Sequence, residues 1–209
     1  MHDPVPRLRA LLAAEGHHHA EAVVAAALRE EIAHYRAHHD RGRDAPSLAG
    51  LRRDCARVLA SGLGGDAPPP ERLAPMLVDS LRFSLYPDAL PALDALDSAG
   101  VPVAVVSNWD CGLPEVLGSL GVAHRFAAVA VSAVVGAAKP APAIFHHALE
   151  RLGVRPGAAL HCGDMPVADC EGARAAGVRA VLLDRAGGHP ETPCPRIATL
   201  AELPALAGA

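Results

Sequence analysis

The fold is decided by residues 158–183, AALHCGDMPVADCEGARAAGVRAVLL. An apolar run, Ala158–Cys162, is followed by a segment with helical character, Asp169–Ala176. After Gly177 a second apolar run begins, Val178–Leu183. A short apolar strand, a helix, a glycine and another short apolar strand are typical of the βα units of a parallel sheet. The stretch therefore predicts an α/β fold.

The same alternation extends back to Tyr86. Each predicted helix is followed closely by a glycine and then by an apolar strand. The predicted elements are the helices Ala89–Ser98, Leu113–Leu120 and Ala143–Leu152 and the strands Val101–Val106 and Phe126–Val131. Ligands of such sheets bind at the carboxyl ends of the strands, so the functional residues are expected there.

Residues 1–85 contain no convincing strand pattern, and apolar side chains recur at helical spacing. Four helices are expected: one after Asp3-Pro4, a second over Ala20–His39, a third capped by Ser47, and a fourth over Glu71–Phe83. A last short helix is expected near the end of the chain, around Leu200–Leu206. The predicted fold is a Rossmann-like parallel sheet core, residues 86–209, with an N-terminal helical domain, residues 1–85.

Composition excludes several classes of function. The formal net charge of −4 over 209 residues provides no basic surface for nucleic acid. No apolar run is long enough to span a membrane, and no signal pattern opens the sequence, so we expect a cytoplasmic protein. Five scattered cysteines, an odd number with no Cys-x-x-Cys spacing, lead us to expect neither a disulfide framework nor a structural zinc site.

Lys139 is the only lysine among 19 basic residues, and every other one is arginine. An ammonium and a guanidinium are not interchangeable in a tight site, so a single retained lysine is a candidate functional residue; the alternative is a chance surface residue. Prolines at 140 and 142 hold the chain extended and then begin a helix, which places this lysine in a defined position.

Polar residues follow two of the predicted strands. Ser107 and Asn108 end the first and are suitable hydrogen-bond partners for phosphate oxygens, although such residues also favour loops for local reasons. Asp164 and Asp169 follow the third. Two carboxylates on one short loop are typical of a magnesium site, although Asp169 could instead cap the next helix.

Histidines are also candidates for metal binding, because His34 and His38 are four residues apart and can share a helix face. No cysteine or carboxylate cluster completes a ligand set at an obvious spacing. We therefore favour a solvated helix face.

The order and spacing of these pieces resemble the haloacid-dehalogenase-like hydrolase superfamily over residues 86–184. Its second, third and fourth motifs are similar to Ser107-Asn108, to Lys139-Pro140, and to Gly163-Asp164 with Asp169. The resemblance implies a magnesium-dependent phosphatase acting on a small phosphorylated metabolite. It further implies that the helical domain is a cap that covers the active site and selects substrate.

The resemblance also implies roles for individual residues. Ser107, with Asn108 nearby, would bind the transferring phosphoryl group. Lys139 would steady the nucleophile and the phosphate, and Asp164 and Asp169 would hold Mg²⁺.

The family's first motif, an aspartate nucleophile at the end of a strand that precedes the cap, has no counterpart in the sequence. Asp3 has no apolar strand before it and no second aspartate or threonine after it. The first core strand is therefore absent from the pattern, and the resemblance places it between the strands that end at Ser107 and Asp164. Either those two strands pair directly, or a gap leaves the chain marginally stable.

Three readings follow from this departure. The chain is a phosphatase that is inactive as it stands, because the nucleophile is missing. Alternatively it is a catalytically dead relative that binds a phosphorylated ligand or a protein, or its gene start has been assigned too late. A carbon–halogen hydrolase of the same superfamily is less favoured, since the aspartate pair indicates a metal.

Overall fold

The computed structural model describes residues 3–208. Within them the chain divides into two compact units, one ending at Ser84 and the other beginning at Leu85. None of residues 3–84 lies in a strand.

The first unit consists of four helices. They are α1 (Val5–Ala14), α2 (Glu21–His38), α3 (Ala45–Leu63) and α4 (Pro70–Ser80). Each buries one apolar stripe against its neighbours, as helical spacing requires. The fully buried members include Leu8, Leu12, Val24, Leu59 and Leu73. Helices α2 and α3 approach closely, because a Cβ added to Gly62 would lie 2.7 Å from the Cβ of Ala27.

The start of α3 differs from expectation. Asp44, not Ser47, is its N-cap, and Ser47 is the third helical residue. The Asp44 carboxylate accepts a hydrogen bond from the Ser47 amide (2.9 Å), while the Ser47 hydroxyl accepts one from the Asp44 amide (3.0 Å). This reciprocal capping box satisfies two backbone donors and moves the helix start two residues ahead of Ser47.

The second unit alternates helices with short strands. Its helices are α5 (Ala89–Ser98), α6 (Leu113–Ser119), α7 (Ser132–Val135), α8 (Pro142–Leu152), α9 (Gly172–Ala175) and α10 (Leu203–Ala207). Its strands are β1 (Ala104–Ser107), β2 (Ala128–Val131), β3 (Leu160–Gly163), β4 (Arg179–Leu183) and β5 (Arg196–Ile197). A wide helical turn, Pro166–Glu171, precedes α9.

The strands form two separate parallel sheets. In one, β1 pairs with β2, with Ser107 opposite Val131; in the other, β4 lies between β3 and β5. The α/β parallel architecture is confirmed. Strands β1 and β3 do not pair with each other, so each presents an open edge, and all of their residues are partly exposed. Of the two outcomes expected for a missing central strand, direct pairing is the one that the structure contradicts.

An apolar cavity of about 490 Å³ opens between these elements. Both open strands line it, and so do the helices that flank them. Its lining includes Val105 of β1, Cys162 of β3, Leu96 of α5, Phe145 of α8 and Leu203 near the chain end. We refer to this cavity as the strand slot.

Asp88 ties the end of the chain to the start of α5. Its carboxylate accepts two hydrogen bonds from Arg185 (2.8 and 2.9 Å), one from the Thr199 hydroxyl (2.7 Å) and one from the Leu200 amide (2.9 Å). The Arg185 guanidinium also lies over the Tyr86 ring at 4.2 Å. These hydrogen bonds lower the pKa of Asp88, that from Arg185 most of all.

A disulfide joins Cys170 to Cys194, while Cys55, Cys111 and Cys162 are not in a disulfide. The expectation that the cysteines form no disulfide is therefore wrong. The two partners are 24 residues apart and lie in segments without a sequence signature.

Within residues 3–208, no helix has both the length and the apolar character needed to cross a bilayer.

Candidate active site

Asn108 and Lys139 meet at the carboxyl end of β1. The Asn108 side chain donates a hydrogen bond to the Lys139 carbonyl (2.9 Å) and accepts one from the Lys139 amide (2.7 Å). The amide group of Asn108 is thus occupied by the backbone of the loop that carries the lysine. Proline 140, joined to Lys139 by a cis peptide bond, continues that loop into α8.

The Lys139 ammonium lies 2.6 Å from Oδ1 of Asp169, and the two side chains are 13% and 2% exposed. Lys139 is therefore not the chance surface residue that composition alone left open. Two opposite charges this deeply buried stabilise each other only when their remaining hydrogen-bonding capacity is also satisfied.

Asp169 has two further donors. His161 Nε2 lies 2.8 Å from Oδ1, and the Met165 amide donates to Oδ2 at 2.8 Å. Burial alone would raise the pKa of Asp169, but the His161 hydrogen bond, the charge and hydrogen bond of Lys139, and the Met165 amide outweigh it. They hold the pKa of this carboxyl well below its ordinary value, so Asp169 is ionised.

Glycine 163 is required by the same carboxylate, because any Cβ at this position would overlap the Asp169 carboxyl group. Gly172 plays a similar part against the lysine loop, since its Cβ would lie 2.8 Å from the Cα of Pro140. Close packing of this kind explains glycine at both positions without any unusual backbone conformation.

The other predicted site residues lie at the same strand ends. Ser107 is the last residue of β1 and is partly exposed, and it directly precedes Asn108. Asp164 directly follows β3 and is exposed. The structure thus brings Lys139 into contact with both Asn108 and Asp169. Ser107 directly precedes Asn108 in the sequence, and Asp164 lies five residues before Asp169.

The donor set for a metal is small. Both Asp169 oxygens already accept hydrogen bonds, whereas Asp164 is exposed. No group of three or more His, Cys, Asp or Glu residues suited to a metal occurs in the described part of the chain. Magnesium commonly takes one or two carboxylates and completes its shell with water and phosphate oxygens. The residues present fit such an ion through Asp164, and the assignment of Asp164 and Asp169 as ligands stays a prediction.

Neighbouring residues have other roles. Asp110 is buried and accepts a hydrogen bond from the Gly112 amide (2.8 Å), which orders the entry into α6. Burial, together with the charge of Asp169, raises the pKa of the Cys162 thiol to about 11. Cys162 is therefore protonated at neutral pH and is not a nucleophile.

The histidine pair in the helical unit is internal to α2. His38 Nδ1 donates to the His34 carbonyl at 2.8 Å, and the two rings stack with centroids 4.3 Å apart. His161, in contrast, escaped the sequence analysis. The available signal was a single polar side chain inside an otherwise apolar strand, two residues before the Gly-Asp pair.

Comparison with known proteins identifies the family of the chain. The model of the haloacid dehalogenase-like hydrolase family matches residues 2–177. Phosphoserine phosphatase of Thermus thermophilus is 42% identical over 116 residues, which is 54% of this chain and 45% of that protein. The chain thus spans less than half the length of this curated relative.

Solved structures share the fold. A 2-haloacid dehalogenase from Pseudomonas syringae is 26% identical, with a TM-score of 0.65 over 98% of this chain and 89% of the other. A putative HAD-hydrolase from Bacillus subtilis, described as bound to magnesium, is 19% identical, with a TM-score of 0.71 over 99% and 91%. The family match covers most of the chain. The chain belongs to the haloacid dehalogenase-like hydrolase family.

Proposed function

We propose that this protein is derived from a magnesium-dependent phosphatase that hydrolyses a small phosphomonoester through an aspartyl-phosphate. The observation that carries the proposal is the buried pair of Lys139 and Asp169. Ser107 ends β1 and Asp164 directly follows β3. A fixed ammonium at such a position stabilises the charge of a transferring phosphoryl group. The match to a phosphoserine phosphatase supports a phosphorylated substrate.

In this proposal each residue has a defined task. The Ser107 hydroxyl binds a phosphoryl oxygen, and Asn108 holds the Lys139 loop in place while lying beside the phosphate. Lys139 faces the phosphate and the nucleophile. Asp164 and Asp169 would hold Mg²⁺, which neutralises phosphate charge when bound.

The nucleophile is proposed to lie on a strand that occupies the strand slot. Support comes from the two open edges, β1 and β3, and from the apolar lining between them. An aspartate at the carboxyl end of such a strand would lie between the ends of β1 and β3, where Lys139 and Asp169 are found. The helical unit, as the family's cap, would select the substrate, and a cytoplasmic location belongs to the same proposal.

The alternative is a non-catalytic protein that retains the phosphate-binding residues. It is favoured by one observation, the hydrogen bonding of Asn108 and Asp169 to protein groups in a site without an attacking carboxylate. A dehalogenase is the other candidate, supported by the dehalogenase fold match. The buried Lys139 does not distinguish a dehalogenase from a phosphatase, but the exposed Asp164 favours a metal-dependent phosphatase.

The test is turnover by a longer form of the protein that includes residues encoded upstream. An in-frame apolar strand followed by Asp-x-x-x-Thr, with hydrolysis of small phosphate esters that requires Mg²⁺, is the expected result. Release of halide from 2-haloacids without metal would support the dehalogenase. Phosphate binding without turnover in the longer form would support the non-catalytic alternative.

A further inference from the structure

His161 occupies a fixed position inside β3. Its ring meets Phe145 of α8 edge-on, with centroids 5.0 Å apart and an interplanar angle of 88°. Phe145 is 2% exposed, and the His161 side chain is 12% exposed. A ring wedged in this way has little rotational freedom, so its Nε2 is held at Oδ1 of Asp169.

The protonation of this ring follows from its partner. A carboxylate can only accept, and Asp169 is ionised, so Nε2 of His161 must carry the hydrogen. Lys139 already supplies one positive charge to the one negative charge of Asp169. The His161 N–H adds a further hydrogen bond to this buried pair.

Two of the three donors to Asp169 are thus rigid. The His161 ring is wedged against Phe145, and the Met165 amide is part of the backbone. Only Lys139 reaches the carboxylate through a long flexible side chain. The orientation of the carboxylate is set without the lysine, and the lysine is then set by the carboxylate.

We infer that His161 is a positioning residue that acts through Asp169 on the Lys139 ammonium. The inference rests on the proposed function for the use made of Lys139. Its test requires no hydrolysis, so its failure is distinguishable from failure of the phosphatase proposal.

The test uses the fact that Lys139 is the only lysine of the chain. Acetylation by acetic anhydride at one fixed pH, followed by peptide mass spectrometry, then reports on Lys139 separately from the N-terminal amine. His161→Leu removes the donor and should raise the acetylation rate about fivefold or more, because a hydrogen bond to a charged group is lost. His161→Gln retains an N–H and should restore a rate close to that of the unchanged protein.

Two controls separate positioning from general loosening. His146 of α8 bonds only the Ala176 carbonyl (3.2 Å), so His146→Leu should leave the rate unchanged. Asp169→Asn should itself raise the rate, and adding His161→Leu to it should have no further effect, because both changes act on one path.

An unchanged rate in folded His161→Leu would overturn the inference, and so would additive effects in the double variant. If His161→Leu fails to fold, ¹⁵N NMR of the unchanged protein decides. A hydrogen on Nε2 is expected, and a ring that carries its hydrogen on Nδ1 alone would contradict the inference.

Discussion

The side chain of Asn108 hydrogen-bonds both backbone groups of Lys139, the amide at 2.7 Å and the carbonyl at 2.9 Å. The residues are 31 positions apart, so the contact joins the end of β1 directly to the loop before α8. The lysine is consequently held at two points, by Asn108 at its backbone and by Asp169 at its ammonium.

Asn108→Ala removes both of these bonds from a partly buried position. We expect the free energy of unfolding to fall by about 1–3 kcal/mol, because two backbone groups lose their partner. Urea denaturation followed by circular dichroism measures this. The matched control is Ser98→Ala, an exposed residue with a single bond to the Asp94 carbonyl (2.8 Å). An equally small loss of unfolding free energy in both variants would show that the two Asn108 hydrogen bonds do not contribute to stability.

The 209-residue chain should show no magnesium-dependent hydrolysis of p-nitrophenyl phosphate or small sugar phosphates, because no residue in it matches the family's nucleophile. A form extended upstream should gain this activity and lose it when the new aspartate is changed to asparagine. The measurement is phosphate release with and without Mg²⁺. Metal-dependent turnover by the 209-residue chain, abolished by Asp164→Asn, would mean that another group attacks phosphorus.

Amide hydrogen exchange should distinguish the open strands from the enclosed one. Amides of β1 and β3 that face the strand slot have no strand partner, so they should exchange much faster than those of β4, which lies between β3 and β5. In a form of the protein that is extended upstream, the amides of β1, β3 and β4 should all exchange slowly. Equal protection of β1, β3 and β4 in the 209-residue chain would contradict an open slot.

The cysteines should divide into three thiols and one disulfide-bonded pair. Alkylation of the denatured, unreduced protein should label Cys55, Cys111 and Cys162, and reduction should add Cys170 and Cys194. In the chain-entropy model, a bond across 24 residues contributes about 3 kcal/mol to stability. A fall in Tm on reduction is therefore expected; it should persist in Cys55→Ser, which keeps the bond, and be absent in Cys194→Ser. Five labelled cysteines before reduction would exclude the bond.

Asp169 should influence stability in acid. Because its pKa is lower in the folded state than in the unfolded state, its contribution is fully present above the ordinary carboxyl range. It is lost as the pH falls below about 4 toward the folded value. Urea unfolding between neutral pH and pH 3 should therefore show a steeper loss of stability than in Asp169→Asn. Parallel curves would argue against the depressed pKa.

Much of the secondary structure was predictable, because it depends on local patterns. The expected helix Ala20–His39 is observed over Glu21–His38, and the closing helical segment lies at Leu200–Ala207. Strands came out shorter than their apolar runs: Val101–Val106 was expected, and Ala104–Ser107 is observed. Pro102 has no amide to donate, which helps to explain the later start.

The contacts inside the site were less predictable. The family motifs marked Asn108 and Asp169 by their type and spacing, but nothing local could reveal that both bond to Lys139. His161 was missed because an apolar strand reads as core, and the partner that gives it a role is eight residues further on. The disulfide was missed for the same reason, since pairing across the chain leaves no periodic trace.

The contacts of Asp88 also set an order of events during synthesis. Its partners at Thr199 and Leu200 are 111 and 112 residues further along the chain and are therefore made well after it. The helical unit, in contrast, contains all of its own helices by Ser80. On the ribosome the helical unit can therefore fold first, whereas the α/β unit must wait until Thr199 and Leu200 have been made before the hydrogen bonds of Asp88 are complete.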